Sequence, residues 1–548
     1  MRFRSILRVH ALFALLLASA VPALAQTGNH VAGDGAGTAL TTGEFNTIVG
    51  DDSNTALTTE SQNVSLGYSA GQFNRAIGNV FIGWLSGYSQ VAAGTTPPFA
   101  GPSGTGLVIV GSWAGASSTT GYDNTFVGNA AGQEIATGYG NTFFGEEAGA
   151  DNNSTGYGNT YIGQTAGSFT LLDNDVRYFN TFVGEQAGAS TGGVFLRNTS
   201  VGAESLNEVD ADRNTALGDS AASVLTDGRY NTVLGQAAGA ENWYADFNTF
   251  VGAQAGFENN ISNSTTAANR NTYVGYRAGL TNDLGEDNVG MGHNADFSDD
   301  DIDESRNVFI GAETLVRNGD NVLLGYGTRS EVNQAVVIGS EADVMGENGI
   351  AIGASADLDS PNSLLIGAET IGTGENSIAL GYQSSVSGDN SIAIGYGTSV
   401  AADNEAYIGN AATTSIGGSV NWMAMSDARL KTDVSRDVAG LGFVRRLRPV
   451  RYRFDLDGLR AVSSPASDLN DALAAKAGQW QTGFLAQEVE SAAAAADFAF
   501  SGVVAPVEGR SHYGLRYAEF VVPLTQAVQE LDASYGAHTD QAKQQVAR

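Results

Sequence analysis

The sequence contains no cysteine, and only 9 of its 548 residues are proline. The first absence removes disulfides, thiolate chemistry, cysteine-based zinc sites and a lipidated N-terminal cysteine together. Stability must therefore come from packing or assembly. Charge is also sparse and one-sided: 27 Lys and Arg face 59 Asp and Glu, a formal net charge of −32. A surface of that sign repels nucleic acid and anionic lipid, which excludes both as partners. The excess is local, because residues 426–548 hold 14 basic and 15 acidic side chains, leaving 13 and 44 before them. Long apolar runs are missing beyond the first two dozen residues, so no later segment reads as a membrane span.

The one apolar run has the marks of an export signal. Arg2, Arg4 and Arg8 precede an apolar stretch around Ala11 to Ala20, and Ala-Leu-Ala ends at Ala25. This predicts a signal peptide over 1–25, cut before Gln26, and a secreted or cell-surface protein.

Glycine is abundant, at 71 residues, and it recurs as punctuation. NTFVGNAAG from Asn124, NTFFGEEAG from Asn141, NTYIGQTAG from Asn159, NTFVGEQAG from Asn180 and NTVLGQAAG from Asn231 restate one phrase, mostly 17 or 18 residues apart. Earlier copies start at Asn46, Asn63 and Asn79. Further along, NGIAIG, NSLLIG, NSIALG, NSIAIG and NEAYIG begin at Asn348, Asn362, Asn376, Asn390 and Asn404, each 14 residues after the last. Short alternating apolar runs opened by Asn and closed by Gly predict a strand between turns, with a second strand in each repeat. The fold class expected is mainly β, a parallel β-solenoid or β-roll, with long-period coils over 26–305 and 14-residue coils over 306–410. The repeated Asn-Thr predicts a side-chain ladder that binds coil to coil, the rarer use of such a face being the ordering of water. The acidic residues fall in turns without a distinctive copy, so a glycosidase site is not expected. No metal site or cofactor is expected either: the calcium-binding nonapeptide pattern is missing, and weak cation binding, calcium included, by the acidic surface is the alternative.

After residue 410 the character changes. Residues 411–425 read as a linker, and 426–548 as a small α+β domain. RRLRPVRYRFD from Arg445 is strand-like, 461–480 is an Ala/Ser-rich insertion, and GFLAQEVESAAAAA begins a helix. Tyr517, Val521, Leu524, Val528, Leu531, Tyr535 and His538 alternate spacings of four and three, a heptad seam suited to a short parallel coiled coil. The alternative for that helix is packing on its own domain.

Two resemblances follow from these motifs. The NSIAIG-type repeats over 306–410 resemble the head repeats of trimeric autotransporter adhesins, which implies left-handed parallel β-rolls in a three-chain bundle. SDARLKTDV, LRPVRYRF, GFLAQEVE and YAEFVVPLTQAVQEL, in that order, resemble the endosialidase-type intramolecular chaperone, a self-cleaving Ser-Lys peptidase domain at the C-terminus of phage tail spikes and other trimeric β-fibres. The resemblance makes Ser426 the nucleophile, Lys431 the general base and Met425–Ser426 the scissile bond. It also implies a homotrimer. The chemistry suits these residues: a serine hydroxyl needs a base to take its proton, and a lysine amine serves once desolvation favours its neutral form. Attack by Ser426 on its own carbonyl would need a four-membered ring, so the cut precedes it. Asp427 and Arg429 are expected to orient the turn, with Ser426 as a helix N-cap the competing account. The whole then reads as a secreted trimeric fibre, adhesin-like, with an unidentified extracellular ligand such as a glycan or a host or matrix surface. Its rivals are an uncleaved fibre with the C-terminal domain as oligomerisation cap, and a tail-spike-like polysaccharide depolymerase.

Overall fold

The computed structural model describes residues 27–88, 104–150, 155–168, 177–189, 196–208, 210–262, 264–298, 304–463, 469–508 and 510–547. The predicted signal peptide lies outside these. The chain divides into two units, up to Asn333 and from Gln334.

In the first unit, three-residue strands such as Thr125–Val127, Thr142–Phe144 and Thr160–Ile162 pair in parallel and in register, so that Phe126 faces Phe143 and Phe143 faces Tyr161. Each strand shows its middle residue to the interior and its two neighbours outward, the period of two expected of a pleated strand. The interior of this stretch is a column of rings. Phe126 and Phe143 stack at 5.0 Å, Phe143 and Tyr161 at 4.6 Å, and Tyr161 and Phe182 at 5.1 Å.

The residue before each strand forms the ladder that the Asn-Thr repeat predicts. Asn124 Oδ1 accepts from the Asn141 backbone N–H at 2.9 Å, Asn141 Oδ1 from that of Asn159 at 3.0 Å, and Asn159 Oδ1 from that of Asn180 at 3.0 Å. The Asn141 side-chain amide also donates to the Gly156 carbonyl at 2.8 Å. All four asparagines are fully buried. A buried amide is tolerated only when its donors and acceptors are met, so each rung holds its neighbour in register.

The second strand expected in every repeat is absent from the described long coils; it first occurs at Asp296–Phe297. In the long coils its place is taken by a turn whose residues alternate into the left-handed region, as at Glu147 (φ 55°) and Gly149 (φ 58°). That geometry cannot extend into a strand. The turn still stacks through backbone bonds, Glu147 N–H to Asn129 O at 2.8 Å and Gly149 N–H to Ala166 O at 2.9 Å.

This turn explains the second glycine of NTFVGxxAG. A Cβ at Gly149 would lie 2.6 Å from the Phe143 ring, and one at Gly132 would lie 2.8 Å from Phe126. In two coils where the strand contributes a small interior residue, the turn position is larger: Ser200 goes with Leu206, and Ala216 with Ala222, both turn residues buried and left-handed. The two positions exchange volume within one interior of fixed size.

Long coils give way to short ones inside this unit, where Asp296–Phe297 and Leu315–Val316 start a second parallel ladder. Asp296 accepts from the Thr281 N–H at 3.2 Å. Burial nevertheless pushes its carboxyl up to about 6.

In the second unit the 14-residue coils before the last carry two strands each, for example Ile378–Leu380 and Ser385–Val386, stacked on Ile392–Ile394 and Ser399–Val400. The ladder residue here is the serine of NSIAIG. Ser363 Oγ accepts from Ser377 N–H at 3.0 Å, and Ser377 Oγ from Ser391 N–H at 3.1 Å. The asparagine one position earlier is exposed and left-handed, as at Asn376 (φ 56°). The asparagines of the two repeat types are therefore out of step by one residue.

The C-terminal part of this unit is α+β. Val450–Tyr452 pairs antiparallel with Gln481–Gly483, and Val503–Val504 with Gly514–Leu515. The helices Leu441–Val444 and Ala486–Ala494 and the start of Val521–Val546 enclose a core of Phe443, Val489, Ala492, Ala493 and Phe520.

Two outcomes test this reading. Phe143→Ala should cost about 3–5 kcal/mol of stability by the cavity it leaves, and Gly149→Leu should cost several by collision. The double variant should be at least about 1 kcal/mol better than their sum, since it recreates the Ser200 and Leu206 arrangement; denaturant melts of the four proteins measure the coupling. Asp296 binds its proton more tightly in the fold than in the unfolded chain, so the fold bears the full cost above about pH 6 and sheds it as pH falls toward 4. Asp296→Asn should then raise stability near pH 7 by up to about 3 kcal/mol and leave it little changed near pH 4.

Candidate processing site

Between the roll and the C-terminal core the chain runs from Asn410 to Ala439 with one short 3₁₀ turn, Ala428–Leu430. Asp427 makes that turn. Its side chain accepts from the Arg429 N–H at 2.9 Å and pairs with the Arg429 guanidinium at 2.6 Å. The hydrogen-bonded Arg429 side chain holds the Asp427 carboxyl below its usual range, while Asp427 raises the guanidinium. The far end closes when the Lys431 N–H bonds to Ala428 O at 3.2 Å. Ser426 and Lys431 flank this closed turn, and Lys431 Nζ donates to Ser426 Oγ at 2.8 Å. The helix-cap role that competed for Ser426 belongs to Asp427.

Ser426 and Lys431 are exposed in the single chain, and so are their apolar neighbours. Trp422 is 82% exposed, Met425 83% and Val434 81%. Large apolar side chains clustered at such exposure form a patch that calls for a cover.

The predicted seam lies downstream. Val521, Leu524, Val528, Leu531 and Tyr535 stand on the helix Val521–Val546, all exposed, while Pro523 and Ala527 on the adjoining face are buried. The helix thus packs on its own domain with one face and leaves the seam open. Tyr517 sits in the preceding 3₁₀ turn, where its hydroxyl accepts from the Phe484 N–H at 3.2 Å.

Several side chains that support this domain were not singled out from the sequence. Glu530 accepts from the Leu441 N–H at 2.7 Å, capping a helix whose own N-cap is Gly440 and has no side chain to do so. Arg448 pairs with Glu488, tying LRPVRYRF to GFLAQEVE. Arg451 and Arg453 both lie over the Trp480 ring, at 4.1 and 4.6 Å from its centroid. The uncapped glycine start and the clustered arginines are the only sequence signals for these.

Among the described residues no group of three or more His, Asp or Glu is placed to hold a metal ion, and no helix is long and apolar enough to cross a membrane.

No curated protein matches the sequence. Two family models do match parts of it. Two copies of the YadA head domain repeat fall within residues 373–398, in the short coils. The model described as chaperone of endosialidase matches residues 426–498, and that match begins at Ser426. The chain is therefore similar to adhesin head repeats in its short coils and, from the serine of the closed turn onward, to the chaperone of endosialidase.

Proposed function

We propose that this protein is a secreted, trimeric, adhesin-like fibre whose C-terminal domain aids trimerisation and then cleaves itself off between Met425 and Ser426. The observation that carries the reading is the 2.8 Å contact between Lys431 Nζ and Ser426 Oγ, at the border between solenoid and chaperone-like domain.

Lys431 takes the hydroxyl proton as Ser426 Oγ attacks the Met425 carbonyl carbon. The C–N bond breaks, the proton passes to the Ser426 nitrogen, and residue 425 is left as an ester on the side-chain oxygen. Water then hydrolyses that ester, giving a Met425 carboxylate and a new chain starting with Ser426. Asp427 and Arg429 act by holding the turn.

A base of this kind needs shelter from water, which the single chain does not supply at Lys431. Association would. The open seam of the last helix, the bare apolar side chains around the cut and the outward apolar columns of the short coils, such as Ile378 and Leu380, are surfaces that chains side by side would cover. Processing would then follow assembly. Registering three β-rolls is slow because the contacts between chains are non-local, and holding the C-terminal ends together lowers that cost. Removing the aid afterwards leaves a rod that has lost its nucleator and unfolds slowly.

The test is intact mass under denaturing conditions. Wild type should give two chains, the smaller beginning at Ser426, whereas Ser426→Ala stays whole and Lys431→Ala slows cleavage by about 10²–10⁴-fold. A whole wild-type chain after assembly would leave an uncleaved fibre with a terminal oligomerisation cap. Val528→Asp combined with Leu531→Asp should shift sedimentation from trimer to monomer and suppress cleavage with it. Cleavage by the monomer at the wild-type rate would break the link between assembly and chemistry.

A further inference from the structure

The last coil of the roll is built differently from those before it. Counting in steps of 14, the ladder position holds Ser363, Ser377 and Ser391, and then Glu405. The interior strand position holds Ala379 and Ala393, and then Tyr407. Glu405 N–H still closes the ladder on Ser391 Oγ at 3.2 Å, but its own side chain has no further rung to serve. The strand Ala406–Ile408 pairs with Ile392–Ile394 on one side, and among the described residues no strand pairs with it on the other. Both substitutions therefore fall at an end that needs a cover.

The cover comes from beyond Ser426. Arg510 pairs with Glu405, and the two side chains are only 10% and 20% exposed. The same guanidinium donates to the Ala505 carbonyl at 2.6 Å, which fixes its direction. The Tyr407 hydroxyl is pushed up by burial and by Glu405 beside it. A second tie lies nearby: Lys476 Nζ donates to Ala411 O at 2.7 Å and to Thr413 O at 2.9 Å, carbonyls just past the final strand.

We propose that the C-terminal domain stays seated on the end of the rod after the chain is cut, held by Arg510 on Glu405 and by Lys476 on the carbonyls of residues 411 and 413. The proposal rests on the processing reading only for the occasion of the cut. Glu405, Tyr407, Ala411 and Thr413 lie before Met425 and belong to the N-terminal piece; Lys476 and Arg510 belong to the C-terminal one. None of these contacts runs through the 425–426 bond, so breaking it removes none of them. Pulling the domain away would break an ion pair largely shielded from water and two charge-assisted bonds from Lys476 to backbone carbonyls, contacts stronger than an exposed pair. The excised domain is thus a retained cap, and its departure is a separate step set by this clamp.

The test makes the cut by other means. A site-specific protease sequence is inserted between Gly417 and Gly418 of the full Ser426→Ala chain, the added protease divides it, and native gel filtration follows. The two pieces should elute together. With Arg510→Ala and Lys476→Ala they should separate, retention weakening by about 100-fold, and the exchanged pair Glu405→Arg with Arg510→Glu should recover part of it. Circular dichroism of the uncut chains checks folding, and Glu405→Gln, a change on the rod alone, gives the same readout if the double alanine variant is misfolded. Separation of the unsubstituted pieces, or retention by the alanine and glutamine variants, would overturn the clamp. Because the cut does not depend on Ser426, failure here is distinct from failure of self-cleavage.

Discussion

Everything in the solenoid depends on coils being able to lie directly on one another, and the glycine that closes each strand is what permits it. At Gly128 the backbone turns with φ 146°, and a side chain there would collide with the carbonyl of Gly145 in the next coil. Gly145 stands in the same relation to Gly163. A column of such contacts allows every other column to stay in register, because strands one coil apart are separated only by the hydrogen-bonding distance of a sheet. The asparagine and serine ladders, the ring stack and the left-handed turns are what the chain places around that column.

Much of this was legible in the sequence, and the departures have physical causes. The parallel solenoid, the two periods and the ladder follow from Asn and Gly spacing alone. The shift of the ladder from Asn in NTFVG to Ser in NSIAIG was not read, because both repeats begin with the same letter. Counting back from the closing glycine gives it: Asn141 stands four residues before Gly145, and Ser377 four before Gly381, while Asn376 stands five before. The absence of a second strand from the described residues of the long coils follows from residues such as Glu147, which give no sign of a left-handed backbone in their type. The exchange of volume between Phe143 and Gly149 on one hand and Ser200 and Leu206 on the other is visible in the sequence once the two positions are known to touch.

The closed turn between Ser426 and Lys431 shows the limit from the other side. Its local geometry is short-range and was largely legible, since Asp427, Arg429, Ser426 and Lys431 lie within six residues and one turn brings them together. What a single chain lacks is an environment. Exposed Trp422, Met425 and Val434 beside an exposed Ser-Lys contact make sense as surfaces awaiting a cover. A hydroxyl and an amine in water gain little reactivity from proximity alone. If other chains supply the shelter, chemistry is conditional on assembly without any dedicated sensor.

The same logic applies at the end of the ladder. A stack of identical rungs has no intrinsic stop, and its last coil carries donors, acceptors and apolar surface meant for a neighbour. Solenoids answer this by changing the terminal sequence, and here the change is a carboxylate and a phenol where serine and alanine would continue the pattern. A carboxylate can accept from a backbone N–H as the serines do, but it lacks the hydroxyl that Ser377 also donates to the Gly388 carbonyl at 2.8 Å, and once shielded from water it calls for a cation. Arg510 is that cation. Because it arrives from a region more than a hundred residues further along the chain, the final coil can be completed only once the C-terminal domain has folded. Completion of the roll's last coil and folding of the domain are therefore one event.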